Sequence, residues 1–567
     1  MTATVPPVIP AAGVPAPGVP MPGPPGVPPG LSAPAGSSAV YLTGSWRTER
    51  PVYRSLLPPC SAACPAGEDI QAWLYEAQES GDGYERAWRR LTAQNPLPAI
   101  MGRVCYHPCQ SACNRVQLDE MVGINAVERF LGDLAIARGW QFEAPPERTA
   151  SGKRALVVGS GPAGLSAAYH LRRLGHAVTV REAKDQLGGM LRYGIPQYRL
   201  PRDVIDAEVA RLAATGVVFE AGSRVEDLAA AAACFDATVV CVGAGVGHHI
   251  SIPAGSAAKV LDAVALLEET AAGSPPLLGR RVAVYGGGNT AMDAARTAKR
   301  LGAEDAVIIY RRTREQMPAH EEEYRDAISE GIRVKWLSTI AEVERGRVVI
   351  ERMELDGSGH PRPTGVFDEV EADTVVLAIG QDADLDVIAG VPGVDAHDGV
   401  ISLDAQMMTG RPGIFAAGDA APGDRTATVA VGQGKLAAFG ADAWLRGRVY
   451  QAPPRVAEAT FDRLNTWYYA DAPLQQRPAL EAARRTSGFE EVVRGLSEES
   501  ALFEARRCMS CGNCFECDNC YGLCPDDVIR KLGHGQKYVI DLDYCKGCGI
   551  CAAECPCGCI EMVPEDR

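Results

Sequence analysis

The chain of 567 residues lacks any run of 18 or more apolar residues, so no membrane-spanning helix is predicted. It also lacks the positively charged segment with which a secretory signal begins. Residues 1–36 instead hold twelve prolines among Gly, Ala and Val, which predicts a disordered arm over residues 1–40. Because no export signal is present, we expect a cytoplasmic protein in a reducing compartment.

Positive charge is in deficit, with 56 Lys and Arg against 71 Asp and Glu and a net charge of −15. This balance argues against nucleic acid as a partner. An acidic surface is compatible with docking onto other redox proteins, and equally with plain solubility.

The middle of the chain is poor in cysteine. Of 19 cysteines, five lie within residues 60–113, twelve lie within residues 508–559, and only Cys234 and Cys241 fall between. A reducing compartment favours metal ligation over disulfides for the two groups. Cys234 and Cys241 are interpreted as buried core residues.

A nucleotide fingerprint begins the cysteine-poor region. Residues 155–164, ALVVGSGPAG, read as a buried strand that enters a G-x-G-x-x-G turn and a helix, and Glu182 closes the next strand. Gly159 allows the tight turn, Gly161 lets the backbone approach a pyrophosphate, and Gly164 lets the helix pack against the strand. Glu182 can accept hydrogen bonds from ribose hydroxyls.

Residues 409–419, TGRPGIFAAGD, resemble the second flavin signature of the two-dinucleotide flavoproteins, a group that includes thioredoxin reductase. The resemblance implies that Asp419 holds the flavin ribityl chain and that the next helix points its N-terminus at the isoalloxazine ring. The first nucleotide is therefore predicted to be FAD. The predicted FAD-binding residues are Gly159, Gly161, Pro162, Ala163, Gly164, Glu182, Gly189, Met190, Gly418, Asp419, Thr428 and Val429.

A second fingerprint lies in residues 282–293, VAVYGGGNTAMD, and its following strand ends in arginines where an acid would favour NAD. Arginines suit a 2′-phosphate, so NADP(H) is predicted, with a solvated basic strand end as the alternative. No C-x-x-C occurs in this unit, which excludes the dithiol chemistry of thioredoxin reductase. The predicted NADP-binding residues are Gly286, Gly288, Asn289, Thr290, Arg311 and Arg312.

Two copies of the bacterial ferredoxin run C-x2-C-x2-C-x3-C-P lie near the end of the chain. This spacing predicts two [4Fe–4S] clusters, in which the fourth cysteine of each run ligates the other cluster. Zinc is the competing interpretation. One predicted ligand set is Cys514, Cys517, Cys520 and Cys555; the other is Cys545, Cys548, Cys551 and Cys524. Cys557 and Cys559 have no ligand role in this scheme.

From about residue 50 to 450 the chain resembles the small, flavin-containing subunit of NADPH-dependent glutamate synthase. The same module occurs in dihydropyrimidine dehydrogenase and in the large subunit of the electron-bifurcating NADH-dependent ferredoxin:NADP oxidoreductase. The stretches that carry the resemblance are GRVC at 102–105, GGMLRYGIP at 188–196, GGGNTAMD at 286–293 and YRR at 310–312.

The family opens with C-x2-C-x4-C-x3-C, whose last two cysteines match Cys60 and Cys64, but its first two fall at Val52 and Ser55. The C-x2-C of Cys508 and Cys511 has the missing spacing, and we expect it to complete an N-terminal cluster. Our hypothesis is that Cys60, Cys113, Cys508 and Cys511 form one ligand set. The resemblance implies the other, which consists of Cys64, Cys105, Cys109 and the non-cysteine ligand Glu128. The alternative is that the first cluster has been lost.

The predicted fold class is α/β, with two nested Rossmann-like FAD and NAD(P) domains, preceded by a helical Fe–S domain and followed by a bacterial-type ferredoxin domain. The predicted boundaries are a proline-rich arm at 1–40, the helical Fe–S domain at 41–148, the FAD domain at 149–275 and 380–450, the NADP(H) domain at 276–379, a helical connector at 451–507 and the ferredoxin domain at 508–567.

These motifs predict an oxidoreductase that exchanges hydride between NADP(H) and FAD and passes single electrons through clusters. The expected partner is ferredoxin or a catalytic oxidoreductase subunit in a hetero-oligomeric complex. One candidate for that complex is a 2-oxoacid:ferredoxin oxidoreductase. The alternatives are a glutamate synthase small subunit and a non-catalytic electron-carrier scaffold.

Overall fold

The computed structural model describes residues 40–143, 150–247, 252–253, 255 and 259–565. The chain divides into two compact units. The larger unit takes Leu57–Glu458 and Ala470–Ser510, and the smaller takes the described residues of Met1–Leu56, Ala459–Tyr469 and Cys511–Arg567. The predicted arm at residues 1–40 lies outside the described residues except for its last position.

The first part of the chain is helical, as expected. Its elements are β1 (Glu49–Tyr53), α1 (Pro59–Ala63), α2 (Ile70–Ala77), α3 (Asp82–Thr92), α4 (Pro98–Val104), α5 (Pro108–Ser111) and α6 (Ile124–Ala137). In α3 the buried Tyr84, Ala87, Trp88 and Leu91 recur at three- and four-residue spacing, so one face of the helix is apolar. This face helps to form a core with α2 and α6.

The FAD-type domain is built on a five-stranded parallel sheet, and its first two strands flank the first fingerprint. Its elements up to the next domain are β2 (Arg154–Val158), α7 (Pro162–Arg173), β3 (Ala177–Arg181), α8 (Met190–Tyr193), α9 (Arg202–Ala213), β4 (Val218–Glu220), α10 (Leu228–Ala232), β5 (Ala237–Val240) and β6 (Val246–Gly247). All four residues of β5 are buried, as expected for a central strand covered on both faces.

The NADP-type domain has a second five-stranded parallel sheet and a three-stranded antiparallel sheet. Its elements are β7 (Val260–Asp262), α11 (Ala263–Ala271), β8 (Arg281–Tyr285), α12 (Asn289–Arg300), β9 (Asp305–Ile309), α13 (Glu321–Ser329), β10 (Arg333–Lys335), β11 (Ser338–Glu344), β12 (Arg347–Leu355), β13 (Pro361–Glu371) and β14 (Thr374–Leu377). The parallel sheet has the order β10-β9-β8-β14-β7, so β7 joins it from before the predicted boundary at residue 276.

The chain then returns to the FAD-type domain through β15 (Gln381–Asp382), β16 (Ala396–His397), β17 (Val400–Ile401), β18 (Ile414–Ala416) and α14 (Ala427–Leu445). The completed sheet has the order β18-β5-β2-β3-β4. The strand β15 pairs with β6, so two short antiparallel segments connect the two nucleotide domains. The predicted α/β class with nested Rossmann-like domains is confirmed.

The segment predicted as a helical connector differs from that expectation. Between residues 451 and 507 the α-helices are α15 (Ala482–Arg485) and α16 (Glu498–Arg506), and most of the remaining chain is irregular. Prolines 453, 454, 473 and 478 account for much of this, since proline lacks the N–H that a helix interior needs. The helix α16 packs against α2 and α6.

The smaller unit contains α17 (Asn519–Gly522), β19 (Ile529–Lys531), β20 (Tyr538–Ile540), α18 (Ile550–Ala553) and β21 (Ile560–Pro564). The amino-terminal strand β1 belongs to this unit, because it pairs with β21 in antiparallel register from Glu49–Pro564 to Tyr53–Ile560. This position differs from the prediction that residues 49–53 lie in the helical domain. Within the described part of the chain, no helix is both long and apolar enough to cross a membrane.

Candidate functional site

The first glycine turn has the shape that a bound pyrophosphate requires. Gly159 has a φ of 104°, and a side chain there would collide with the Cys241 carbonyl oxygen. A side chain on Gly164 would likewise collide with the Gly159 carbonyl oxygen, so the absence of a side chain lets α7 pack directly on the turn. The position that a side chain would take on Gly161 is open space on the wall of a cavity. The open backbone edge at the start of α7 fits a phosphate group.

Glu182 follows β3, where its carboxylate is held in place by three hydrogen bonds. One oxygen accepts from the Ser160 backbone N–H at 2.8 Å and from the Ser160 hydroxyl at 2.6 Å, and the other accepts from the Lys184 N–H at 2.9 Å. These bonds tie the glycine turn to the end of the neighbouring strand. The position fits the expected ribose contact.

A cavity of about 1060 Å³ extends from this turn. Every predicted FAD-binding residue except Gly164 lines it, and Asn289 and Thr290 of the second fingerprint line it as well. One cavity therefore reaches both nucleotide fingerprints, which is the arrangement that hydride exchange between two bound nucleotides requires.

The far end of the cavity is formed by the predicted flavin signature. Burial raises the pKa of Asp419, and the nearby Arg425 counteracts part of that rise. The helix α14 begins just beyond, and its N-cap Thr426 accepts a hydrogen bond from the Val429 N–H at 3.3 Å. The positive end of the helix dipole therefore lies at the cavity wall with Thr428.

The second fingerprint has the same local form. Gly286 has a φ of 150°, and a side chain there would collide with the Ala378 carbonyl oxygen. Arg311 and Arg312 follow β9 as predicted, but neither lines the large cavity, nor do Gly286 and Gly288. A third arginine close by in the chain, Arg314, forms an ion pair of 2.6 Å with Glu321.

A stacked aromatic pair at the cavity was not predicted. The Tyr106 and His320 rings lie 3.5 Å apart and nearly parallel, and both residues line the cavity. The His320 N–H also donates to the Asn289 side-chain oxygen at 2.9 Å. A stack of this kind depends on tertiary position, so no local pattern in the sequence could reveal it.

Three of the predicted N-terminal ligands, Cys64, Cys105 and Cys109, line a second cavity together with Glu128. Three thiols and one carboxylate fit the mixed ligation of an iron–sulfur cluster. Burial and then the nearby Glu128 carboxylate raise the pKa of the Cys105 thiol to about 12 in the absence of metal.

A second buried carboxylate in this cavity, Glu68, was missed. The Asn95 side-chain N–H2 donates to Glu68 and to Glu128, both at 2.9 Å. Burial raises the pKa of Glu68 to about 7, and burial and then the Glu68 charge raise the pKa of Glu128 well above its ordinary range. Two carboxylates that share one amide are costly to keep charged without a nearby cation or cluster.

The flavin cavity and this cluster cavity adjoin. Cys105 and Thr428 line both. The Thr428 hydroxyl lies 3.6 Å from the Met101 sulfur and hydrogen-bonds Cys105. The start of α14, which is predicted to face the flavin, therefore touches a predicted cluster ligand.

The remaining N-terminal cysteines meet a segment from the far end of the chain. Cys60, Cys113 and Cys508 all pack against the same apolar core. The Arg115 guanidinium donates to the Arg507 carbonyl at 2.6 Å and fixes the residue before Cys508. Cys511 begins the other unit, so its place in this ligand set stays a prediction from sequence.

In the smaller unit the ferredoxin cysteines form the two expected groups. The pKa of Cys517 is raised to about 11 by burial and by its neighbours Cys555, Cys520 and Cys514. The other predicted set, Cys524, Cys545, Cys548 and Cys551, lines one cavity.

The two cysteines in the middle of the chain differ from each other. Cys241 is buried in the core of the FAD-type domain, as expected, but Cys234 is exposed next to α10. Cys234 and the preceding Ala233 are both exposed just beyond this alanine-rich helix, so the interpretation of Cys234 as a core residue is wrong.

The fold and these sites define a class of protein: an NAD(P)H-dependent oxidoreductase with FAD and [4Fe–4S] clusters. Residues 153–434 match the family described as pyridine nucleotide-disulphide oxidoreductase, and residues 53–140 match the family described as dihydropyrimidine dehydrogenase domain II, 4Fe-4S cluster.

Curated relatives extend this likeness over most of the chain. The beta subunit of an NADP(+)-dependent formate dehydrogenase from Moorella thermoacetica is 35% identical over 499 residues, which cover 80% of this chain and 70% of that one. The beta subunit of the NADPH-Fe(3+) oxidoreductase of Geobacter sulfurreducens is 32% identical over 512 residues, which cover 80% of this chain and 75% of that one. The PreT subunit of the NAD-dependent dihydropyrimidine dehydrogenase of Escherichia coli K12 is 32% identical over 398 residues, which cover 69% of this chain and 91% of that one. The chain belongs to this family of iron–sulfur flavoprotein oxidoreductase subunits.

Proposed function

We propose that this protein is the NADP-linked electron-transfer subunit of a hetero-oligomeric, cytoplasmic redox enzyme. It would exchange hydride between NADP(H) and FAD, and it would exchange electrons between FAD and a catalytic subunit or ferredoxin. The observation that carries the proposal is the pair of adjoining cavities: one reaches both nucleotide fingerprints, and Cys105 and Thr428 connect it to a group of cluster ligands.

The residues of the chain supply position and electrostatics. The turn at Gly159–Gly164 would hold the FAD pyrophosphate, and Glu182 would hold a ribose. The N-terminus of α14 would stabilise negative charge on the bound ring system. FAD, when bound, supplies the conversion between two-electron hydride transfer and one-electron transfer. The relatives named above, which are subunits of larger enzymes, support a partner subunit for this chain.

Anaerobic titration with NADPH and with NADH tests the nucleotide assignment. We expect NADPH to bleach the flavin absorbance at much lower concentration than NADH, because Arg311 and Arg312 follow β9, the strand after the second fingerprint, and their forked donors suit a 2′-phosphate. The double change Arg311→Ala, Arg312→Ala should raise the KM for NADPH about 10- to 100-fold, the loss expected for one or two charge-assisted hydrogen bonds. Reduction by saturating NADH should stay unchanged.

Arg345→Ala is the matched control, since it removes an exposed arginine of the same domain outside the fingerprint. A clear preference of the unaltered protein for NADH would contradict the NADP assignment. If neither nucleotide bleached the flavin, the scaffold alternative would replace the proposal. Purification with native partners then separates a redox-enzyme subunit from a glutamate synthase small subunit, whose partner would be a glutamine-dependent large subunit.

A further inference from the structure

Three buried thiols converge next to the first ferredoxin ligand set. The sulfurs of Cys555, Cys557 and Cys559 lie within 4.8 Å of one another. Cys555 lies 3.7 Å from Cys557 and 3.6 Å from Cys559, sulfur to sulfur. Cys559 also hydrogen-bonds Cys514, so four sulfurs form one group. The proposed electron-transfer function gives a role to Cys514 and Cys555 but none to Cys557 and Cys559.

The spacing of these sulfurs matches a single metal ion. A tetrahedral ion with metal–sulfur bonds of about 2.3 Å holds its sulfurs about 3.8 Å apart. The two observed sulfur–sulfur separations of 3.6 and 3.7 Å are within about 0.2 Å of that value. A cubane cluster, by contrast, gives each of its four cysteines a separate iron and does not need two further thiols beside one ligand.

The backbone fixes the thiols in this arrangement. Gly558, with a φ of 66°, makes the tight turn between Cys557 and Cys559, and a side chain there would collide with the Arg463 carbonyl. The Cys557 carbonyl accepts from the Gly512 N–H at 2.7 Å, and the Cys559 carbonyl accepts from the Arg54 N–H at 2.8 Å. Sites held by their own backbone contacts bind metal with little reorganisation.

The local environment also suits thiolates. Cys557 and Cys559 are each 2% exposed, so competing water is excluded. The backbone N–H groups of Cys559 and Ile560 donate to Cys555, and hydrogen bonds of this kind stabilise a ligating sulfur.

We propose that Cys514, Cys555, Cys557 and Cys559 form a tetrathiolate site for one soft divalent ion such as Zn²⁺, in competition with the predicted [4Fe–4S] cluster. The two configurations exclude each other because both use Cys514 and Cys555. On binding, the four thiols release their protons and each sulfur forms one bond to the ion. The domain would hold a cluster when iron and sulfide are supplied, and a single ion when they are not.

The test separates the two configurations with variants of the full-length protein. The change Cys517→Ser, Cys520→Ser removes two predicted cluster ligands and leaves the four thiols intact. Purified from zinc-containing medium, this variant should carry about four iron ions fewer and about one zinc ion more per chain than the unaltered protein, by elemental analysis. Substitution of Co²⁺ should give the absorption of a tetrahedral thiolate complex.

Adding Cys557→Ser and Cys559→Ser to this variant should remove the zinc ion and the Co²⁺ spectrum. Adding Cys234→Ser instead, at an exposed cysteine far along the chain, should keep both. Equal residual iron in all three variants shows that the other clusters, and hence the fold, survive. A first variant that gained no zinc would overturn the proposal, and so would zinc retention after the loss of Cys557 and Cys559.

Discussion

Two buried carboxylates beside three cysteines raise the question of which one binds iron. Glu68 is hydrogen-bonded through both oxygens, by Asn95 at 2.9 Å and by the Trp73 indole at 3.2 Å. Lys435 partly balances the charge of Glu68, whereas Glu128 on α6 faces the like charges of Glu68 and Glu208. A buried carboxylate that faces like charges is the one most stabilised by a nearby cation, which favours Glu128 as the ligand.

We therefore expect Glu128→Ala to lose about four iron ions per chain and the spectroscopic signal of one cluster. Glu68→Ala is the matched control, because it also removes one buried carboxylate and one acceptor of Asn95, and it should keep its iron. Iron analysis and low-temperature electron paramagnetic resonance of the reduced proteins measure both effects. Iron loss in Glu68→Ala alone would reverse the assignment.

At the residue scale, the sequence predicted what local spacing determines. The glycines of both fingerprints, Glu182 and the ferredoxin cysteines lie where their motifs placed them, because each motif specifies a turn or a strand end within a few residues. Glu68 was missed because its neighbours in space are Asn95 and Glu128, 27 and 60 residues further along. The Tyr106–His320 stack was missed for the same reason.

Among the elements, β1 is the one whose place differs most from expectation. Its five residues pair with β21, about five hundred positions later, and a strand this short carries no signal of its distant partner. The Tyr53 hydroxyl at the end of β1 lies 3.4 Å from the Cys520 sulfur, and burial raises the pKa of Tyr53 far above its ordinary value. The hydroxyl therefore stays protonated and can donate to that sulfur.

Removal of residues 1–53 should accordingly destabilise the ferredoxin fold. We expect this truncated protein to lose up to about eight iron ions per chain, the content of two clusters, because β21 becomes an unpaired edge strand. Flavin content should be retained, since β1 belongs to the smaller unit and the flavin cavity to the larger.

Removal of residues 1–39 alone provides the control and should leave the iron content unchanged. Full iron content in the longer truncation would show that β1 is dispensable. Comparison of the two proteins thus separates the contribution of the strand from that of the proline-rich segment before it.

At the scale of the whole molecule, cysteines from both ends of the chain meet in one unit. Cys508 packs against the core that also contacts Cys60 and Cys113, and α16 brings it there by packing against α2 and α6. The number of cysteine ligands in the sequence predicted that Cys508 meets the N-terminal group, since that group is two cysteines short of the family pattern. It could not specify the path, because the intervening segment 451–497 is mostly irregular and has no periodic pattern.

If Cys508 completes an N-terminal cluster, its loss should remove that cluster and no other. We expect Cys508→Ser to lower the iron content from about 16 to about 12 per chain, with the ferredoxin signals unchanged. The serine hydroxyl occupies nearly the same volume, so a packing defect alone would not remove iron. Cys234→Ser, at an exposed cysteine with no predicted ligand role, should keep about 16. Undiminished iron in Cys508→Ser would show instead that the first cluster of the family has been lost from this chain, and that electrons leave the flavin through Cys64, Cys105 and Cys109 alone.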